Sequence, residues 1–307
     1  MLKNSKIFCL IVFVFLFAMC NQKSKNESNE ESILKGSLEI TVDETVKPIV
    51  EDQVAVFEGT YYDAKISIKP KSEAELINDL LNQKTKVVIT TRDLTKEEKT
   101  KFEKKKINPR VTPFATDAIA FISNKSNNDT LITLKAVIDF MKGIPNSKIK
   151  GLVFDNPNSS TVRYMKDLAK VNDMPANGVF SFKTNDEVII FVSENDGMIG
   201  VVGVNWLSQP SVKMQNIVHN INVLSVKGLN SDKYYSPTQN DIAELKYPLA
   251  RDLFIINCQG YSGLGMGFAS FISGDIGQRI VLKSGLMPVR TPGRKLQITN
   301  ETIKDKE

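Results

Sequence analysis

The sequence predicts an α/β fold in two lobes. Short apolar runs alternate with amphipathic stretches of helical length, which is the pattern of layered sheets with helices on their faces. Helix-start signals recur just ahead of those stretches. About 270 residues follow a short N-terminal leader, too many for one such sheet, and this points to a second lobe.

The elements follow in order. Leu38–Val42 reads as a strand, and Glu44–Val56 has helical spacing. Tyr62–Ile68 alternates as a half-buried strand. Ser72-Glu73-Ala74-Glu75 opens a helix through Leu80 and Leu81. Lys86–Thr90 is a short buried strand. Thr95-Lys96-Glu97-Glu98 opens a charged helix that runs to Lys106, read as a solvated face. Val111–Phe114 and Ala118–Ile122 read as two strands. Leu134–Met141 is a helix stopped by Gly143, Lys150–Phe154 a strand, and Ser160–Val171 a helix. Thr184–Glu187 caps a helix into Val192, and Met198–Gly203 is a strand. Ile217–Val226 alternates weakly, Leu253–Cys258 is a buried strand, and Met266–Leu282 reads as one helix.

The leader is an address. Lys3 and Lys6 precede thirteen uncharged residues, Ile7–Met19, which is too short to span a bilayer and right for the apolar part of a signal peptide. The run ends at Phe17-Ala18-Met19-Cys20, which resembles a lipobox, with cleavage after residue 19 and acylation of Cys20. Met19 is larger than the small residue usual there. Residues 20–35 then read as a flexible tether, polar and without aromatics. The C-terminal 301–307 is a polar, disordered tail.

Composition excludes several classes. Forty basic against thirty-five acidic residues is near balance and does not mark a nucleic-acid binder. The single histidine, His219, leaves no His-rich metal site and at most one imidazole for catalysis. Three cysteines are too few for a disulfide scaffold, and Cys258 sits alone in an apolar strand. Gly260-Tyr261-Ser262-Gly263-Leu264 falls one residue short of a nucleophile elbow, because Leu264 stands where glycine is needed. Gly263, Gly265 and Gly267 lack the rest of a dinucleotide loop. There is no Walker motif and no Cys/His metal spacing. Neither an enzyme nor a cofactor is expected.

The best local signal is an anion cradle. Strand Gly151–Phe154 leads through Asp155-Asn156-Pro157-Asn158 into Ser159-Ser160-Thr161, where a helix begins. Ser159 or Ser160 caps that helix. A helix N-terminus also offers unpaired N–H groups and partial positive charge, and three consecutive hydroxyls add donors.

From Gly36 to Ile298 the chain resembles the PstS-like substrate-binding proteins of phosphate ABC transporters. The matching pieces are Lys86–Glu98, Asp117–Ile122 with Leu131–Gly143, Ser159–Thr161, Gly197–Val204, Tyr247–Arg251 and Phe271–Pro288, in the family's order. The resemblance implies a Venus-flytrap fold with lobe one at 36–114 and 248–300 and lobe two at 115–247. The hinges would lie near Pro113–Asp117 and Tyr247–Arg251. It implies phosphate or a similar oxyanion as ligand, an ABC permease in the inner membrane as partner, attachment to the membrane through lipid on Cys20 in the periplasm, and a monomer. Ligand contacts carried over by position are Thr41, Glu44, Thr45, Thr90, Thr91, Arg92 and Asp117 on one side, and Asn156, Asn158, Ser159, Ser160 and Thr161 on the other.

Departures from the family qualify this. The arginine expected just before the hydroxyl triplet is missing, and Asp155 stands near its place. Asp43 and Glu44 bring two more acids to the first-lobe turn. A carboxylate facing a phosphate dianion is repelled unless the two share a proton. Cationic support would come from Arg92, or from Arg163. The rival reading keeps the fold but gives up phosphate, leaving a sensor or interaction lipoprotein for another ligand or a protein partner.

Overall fold

A computed structural model describes residues 31–292. The signal peptide, Cys20, most of the tether and the tail 301–307 lie outside the described residues.

Lobe one begins with β1 (Gly36–Asp43), a 3-10 turn at Glu44–Val46, and α1 (Lys47–Thr60), entered through a proline in its first turn, where a missing N–H costs nothing. β2 (Ala64–Lys71), α2 (Glu73–Leu81), β3 (Val87–Thr90) and α3 (Lys96–Lys104) follow. Both halves of the capping box at Thr95 and Glu98 form. The two strands expected at 111–114 and 118–122 are one strand, β4 (Arg110–Asn124), unbroken by Pro113. At fifteen residues it is about 50 Å long and passes from one lobe into the other.

Lobe two contains β5 (Leu131–Thr133), α4 (Leu134–Met141), β6 (Gly151–Phe154), α5 (Ser160–Ala169), β7 (Val179–Ser181), α6 (Asn185–Glu194), β8 (Met198–Gly203) and α7 (Val204–Ser208). The weakly alternating 217–226 is a short helix α8 (Gln215–Val218) followed by β9 (Ile221–Val223) and β10 (Ser225–Lys227). His219 ends that helix, exposed. β11 (Tyr234–Tyr235) and α9 (Gln239–Ala243) lead to β12 (Ala250–Asn257), which returns the chain to lobe one. The single helix expected over 266–282 is two, α10 (Leu264–Ser273) and α11 (Asp275–Lys283), divided at Gly274, and β13 (Met287–Pro288) closes the fold.

The strands order as β2-β1-β3-β12-β4-β8-β6-β7. β1, β2 and β3 are parallel, as are β6, β7 and β8. β12 and β4 run antiparallel to their neighbours, so the sheet is mixed where the two lobes join. Two large apolar clusters lie on either side of this junction. One gathers Ile40, Phe57, Phe114, Leu253 and Phe268, the other Phe121, Phe154, Met165, Val201 and Leu249. On β4 the change of cluster falls between Ala115 and Ala118, and on the returning chain between Ala250 and Leu253. Asp117 and Arg251 occupy those changeovers and face each other as cross-strand partners.

Candidate functional site

The site lies where the carboxyl ends of β1 and β3 meet the amino end of α5, across the two crossover strands. Open α/β sheets place ligands at such strand ends. Asp43 ends β1 and organises the turn that follows. Its Oδ1 accepts from Thr45 N (3.0 Å) and Thr45 Oγ1 (2.9 Å), which folds Glu44–Val46 back and turns the Thr45 hydroxyl toward lobe two. On the other side, Ser159 caps α5 through Val162 N (3.2 Å) and donates to Asp155 Oδ1. This leaves Ser160 and Thr161 in the first turn, both buried, with their hydroxyls on the cleft.

Arg251 sits between these two pieces. Its Nε and Nη2 donate to Asp117 Oδ2 (3.2 and 3.0 Å). Nη1 reaches Ser160 Oγ (3.1 Å) and Thr161 Oγ1 (3.4 Å), and Nη2 reaches Thr45 Oγ1 (3.3 Å). Thr45 Oγ1 and Ser160 Oγ are 2.9 Å apart, so hydroxyls of the two lobes touch. A planar guanidinium with five donors can join an acid and three hydroxyls in this way, where an ammonium could not.

Lobe two also grips the turn from behind. Asn205 Nδ2 and Trp206 Nε1 both donate to the Thr45 carbonyl (3.1 and 2.9 Å). Gly203 makes this approach possible, since a Cβ there would stand 2.9 Å from that carbonyl and 3.3 Å from Arg251 Nη2. Asn185 Nδ2 joins Glu44 Oε2 (3.0 Å) to Asp155 Oδ2 (3.2 Å), tying a first-lobe acid to a second-lobe acid. Two buried atoms at the strand ends, Asp43 Oδ2 and Thr90 Oγ1, have no hydrogen-bond partner within the protein. A buried polar group without a partner is costly, so these two atoms mark the strand ends as a place where hydrogen bonding is incomplete.

The electrostatics are unusual for an anion site. Burial raises the pKa of Asp43 and Asp117, and the Arg251 charge partly offsets this in both. For Asp43 the neighbouring Glu73 charge adds to the rise. Burial pushes Asp155 up to about 7, against the hydrogen bond from Ser159. Burial and the Asp155 charge push Glu44 up to about 8. Near neutral pH Glu44 and Asp155 are poised to hold protons, so each can donate a hydrogen bond as well as accept one.

The sequence-predicted residues divide into two groups. Thr45, Asp117, Ser160 and Thr161 converge on Arg251, with Thr90 nearby at the end of β3 and Glu44 on Asn185. Ser159 stands one residue behind, as the cap. The others have engagements of their own. Thr41 Oγ1 donates to Thr85 Oγ1 (3.0 Å), two residues below Asp43 on β1. Thr91 Oγ1 donates to Glu73 Oε2 (3.3 Å). Arg92 lies outside the cradle. It forks onto Glu98 (2.8 Å to each oxygen) and reaches Glu73 (3.2 Å). Arg163 does not point to solvent, since it crosses the cleft to Glu73. Asn156 accepts from Asn158 N (2.9 Å) to make the turn before α5, and the Asn158 carbonyl accepts from Ala74 N across the cleft (3.3 Å). Arg251 itself was visible only as part of the returning segment Tyr247–Arg251. The signal that assigns it is its register opposite Asp117, which one sequence does not display.

Comparison with known proteins bears on the fold that carries this site. The PBP superfamily domain matches residues 27–275. The chain belongs to that family. Among its relatives is the phosphate-binding protein PstS of Borreliella burgdorferi, 27% identical over 303 residues, which covers 92% of this chain and 99% of the relative. PstS of Staphylococcus epidermidis is 26% identical over 242 residues, covering 74% of this chain and 70% of that one. Among solved structures, a putative phosphate ABC transporter substrate-binding protein from Clostridium perfringens, with bound phosphate, superposes with a TM-score of 0.70 at 19% identity, over 83% of this chain and all of that one. PstS from Borrelia burgdorferi superposes with a TM-score of 0.52 at 26% identity, over 84% of this chain and all of that one. The two-lobed binding-protein fold is therefore the fold of this chain, and no helix among the described residues is long and apolar enough to cross a membrane.

Proposed function

We propose that this chain is a solute-binding protein that captures phosphate, or a similar tetrahedral oxyanion carrying a proton, between its lobes and delivers it to an ABC permease. It performs no chemistry on the ligand. The observation that carries the proposal is Arg251, buried at the junction and fanned across hydroxyls from both lobes. It supplies the cation that is missing ahead of Ser159. The phosphate-binding proteins among its relatives point the same way. The lobes are 36–114 with 248–292 and 115–247, the rest of the 248–300 expected for lobe one lying outside the described residues, and the crossovers at Asp117 and Arg251 are the hinges. The leader, Cys20 and tether fit a periplasmic protein held to a membrane by lipid and acting as a monomer.

Mechanistically, the hydroxyls of Thr45, Ser160 and Thr161 with the α5 N-terminus donate to the oxyanion, and Arg251 balances its charge. Asp43 and the protonated carboxyls of Glu44 and Asp155 exchange hydrogen bonds with its protons. Lobe closure removes water and strengthens each of these contacts. The acids favour the rival reading, a neutral or cationic ligand, only if Arg251 does not engage an anion.

Thr45→Ala combined with Thr161→Ala is expected to weaken phosphate binding by at least about 100-fold, roughly 1.5 kcal/mol for each charge-assisted hydrogen bond lost. Titration calorimetry reads the affinity and a thermal melt reads the fold. Undiminished affinity in the folded variant would remove the cradle from the account.

A further inference from the structure

The end of lobe one farthest from the cleft has a surface that the ligand site does not use. Loops 31–36, 60–63, 82–86, 104–110 and 257–263 meet there, at the amino ends of β1, β2, β3 and β4 and the carboxyl end of β12. Asn257 pairs with both Val87 and Arg110, and Gly36 N donates to Asp63 O (2.9 Å). Exposed Lys35, Lys84, Lys86, Lys105, Lys106 and Arg110 stand on these loops. Their acidic company is thin. Glu31 is taken up by Tyr261 Oη (2.8 Å), Leu264 N (2.8 Å) and Gln259 Nε2 (3.3 Å). Asp79 is shared between Lys71 and Lys84. Asp63 and Glu103 remain. Apolar and aromatic groups rise among the cations, with Tyr62 83%, Tyr261 47%, Ile33 43% and Leu34 42% exposed, and the Lys86 ammonium lies 6.0 Å from the Tyr261 ring.

A second, independent observation is where the chain leaves this surface. Glu31 is pinned to it by those three hydrogen bonds, so residues 20–30 depart from the same end. Eleven residues can span at most about 40 Å. If Cys20 carries lipid, as the reading above has it, this face is the part of the protein held nearest the bilayer.

We propose that this pole of lobe one is a membrane-apposed face that rests on anionic lipid headgroups. Basic side chains near an anionic surface are attracted within about a Debye length, and tyrosines with short apolar side chains suit the headgroup level. Lobe one then stands on the membrane with the cleft directed away from it.

The test uses the processed chain from Cys20 onward with Cys20→Ser, so that no acyl group contributes. Co-sedimentation is measured with vesicles of equal phosphatidylglycerol and phosphatidylcholine, and with phosphatidylcholine alone. Binding to the anionic vesicles alone, falling as salt rises, is expected. The triple variant K105E/K106E/R110E is expected to lower the partition coefficient at least about 100-fold, at roughly fivefold for each cation. Lobe-two reversals K142E/K170E/K213E, which change net charge equally, are expected to lower it far less. Thermal melts confirm that both variants fold. Equal binding to neutral vesicles, no binding at low salt, or equal losses from the two triples would overturn the proposal. The last result would mean that net charge alone is at work, and absence of lipid binding would leave the acidic surface of a membrane protein as the partner of this face. Because the assay lacks the acyl chain, a failure of lipidation at Cys20 would show separately, as Cys20→Ser leaving cellular membrane attachment unchanged.

Discussion

Arg251→Lys is expected to weaken phosphate binding by about 100-fold, or about 2.7 kcal/mol, while the protein remains folded. Lysine keeps a positive charge beside Asp117, so the buried carboxylate is not left alone. Removing the charge altogether would cost roughly 3–5 kcal/mol of stability for that reason and would confuse the reading. An ammonium on a flexible stem cannot reach Asp117, Ser160, Thr161 and Thr45 together, as the guanidinium does at 3.0–3.4 Å. The affinity change therefore isolates the fork geometry. The double variant Asp117→Asn with Arg251→Met removes both charges and is expected to fold without measurable oxyanion binding. Affinity within threefold of wild type in Arg251→Lys would show that the arginine serves the hinge and not the ligand.

Glu44→Gln is expected to remove the upper part of the pH dependence of lobe closure, near pH 8, and to leave the lower part set by Asp155, where the wild type opens as pH rises through both windows. Glu44 comes from lobe one, Asp155 from lobe two, and Asn185 holds both. Separating the lobes would expose Glu44 to water and return its pKa toward the ordinary 4.5. In the closed form burial, then the Asp155 charge, push it up to about 8. The closed state thus holds the proton more tightly. Its contribution to closure is fully present below about pH 4.5 and is lost as pH climbs through about 8. Asp155, pushed up to about 7, acts in the same direction over a lower window. At 1.36 kcal/mol per unit even a third of these shifts comes to about 3 kcal/mol, enough to move a two-state equilibrium across its midpoint. Small-angle scattering on ligand-free protein reads the radius of gyration without interference from the ligand's own protons. A wild type equally compact at pH 5 and 8.5 would contradict the assignment.

The alternation of elements was readable because strands and helices here carry opposite periodicities and clear caps. Thr95 with Glu98, and Thr184 ahead of α6, mark their helix starts in the structure as in the sequence. Boundaries failed where tertiary context overrode local signals. The gap expected between Phe114 and Ala118 does not exist, because β4 continues through it as the partner of β12, with a register shift opposite Leu253 and Phe254 that passes over Phe114. Met266–Leu282 reads as one helix, yet Gly274 divides it in two. At the site, the hydroxyl triplet was legible because Ser-Ser-Thr after a short apolar strand marks a helix start. The arginine was not. Asp117 and Arg251 are 134 residues apart in the chain and meet only through strand register. Asn185, Asn205 and Trp206 are equally silent in sequence, since each acts on a turn of the other lobe.

The most direct measurement is titration calorimetry of phosphate against residues 21–307 at near-neutral pH, after bound anion has been stripped. The account predicts micromolar or tighter binding of one phosphate per chain. No heat, with no thermal shift on adding phosphate, would mean that the acids around Arg251 have excluded the oxyanion and that the cleft takes another solute.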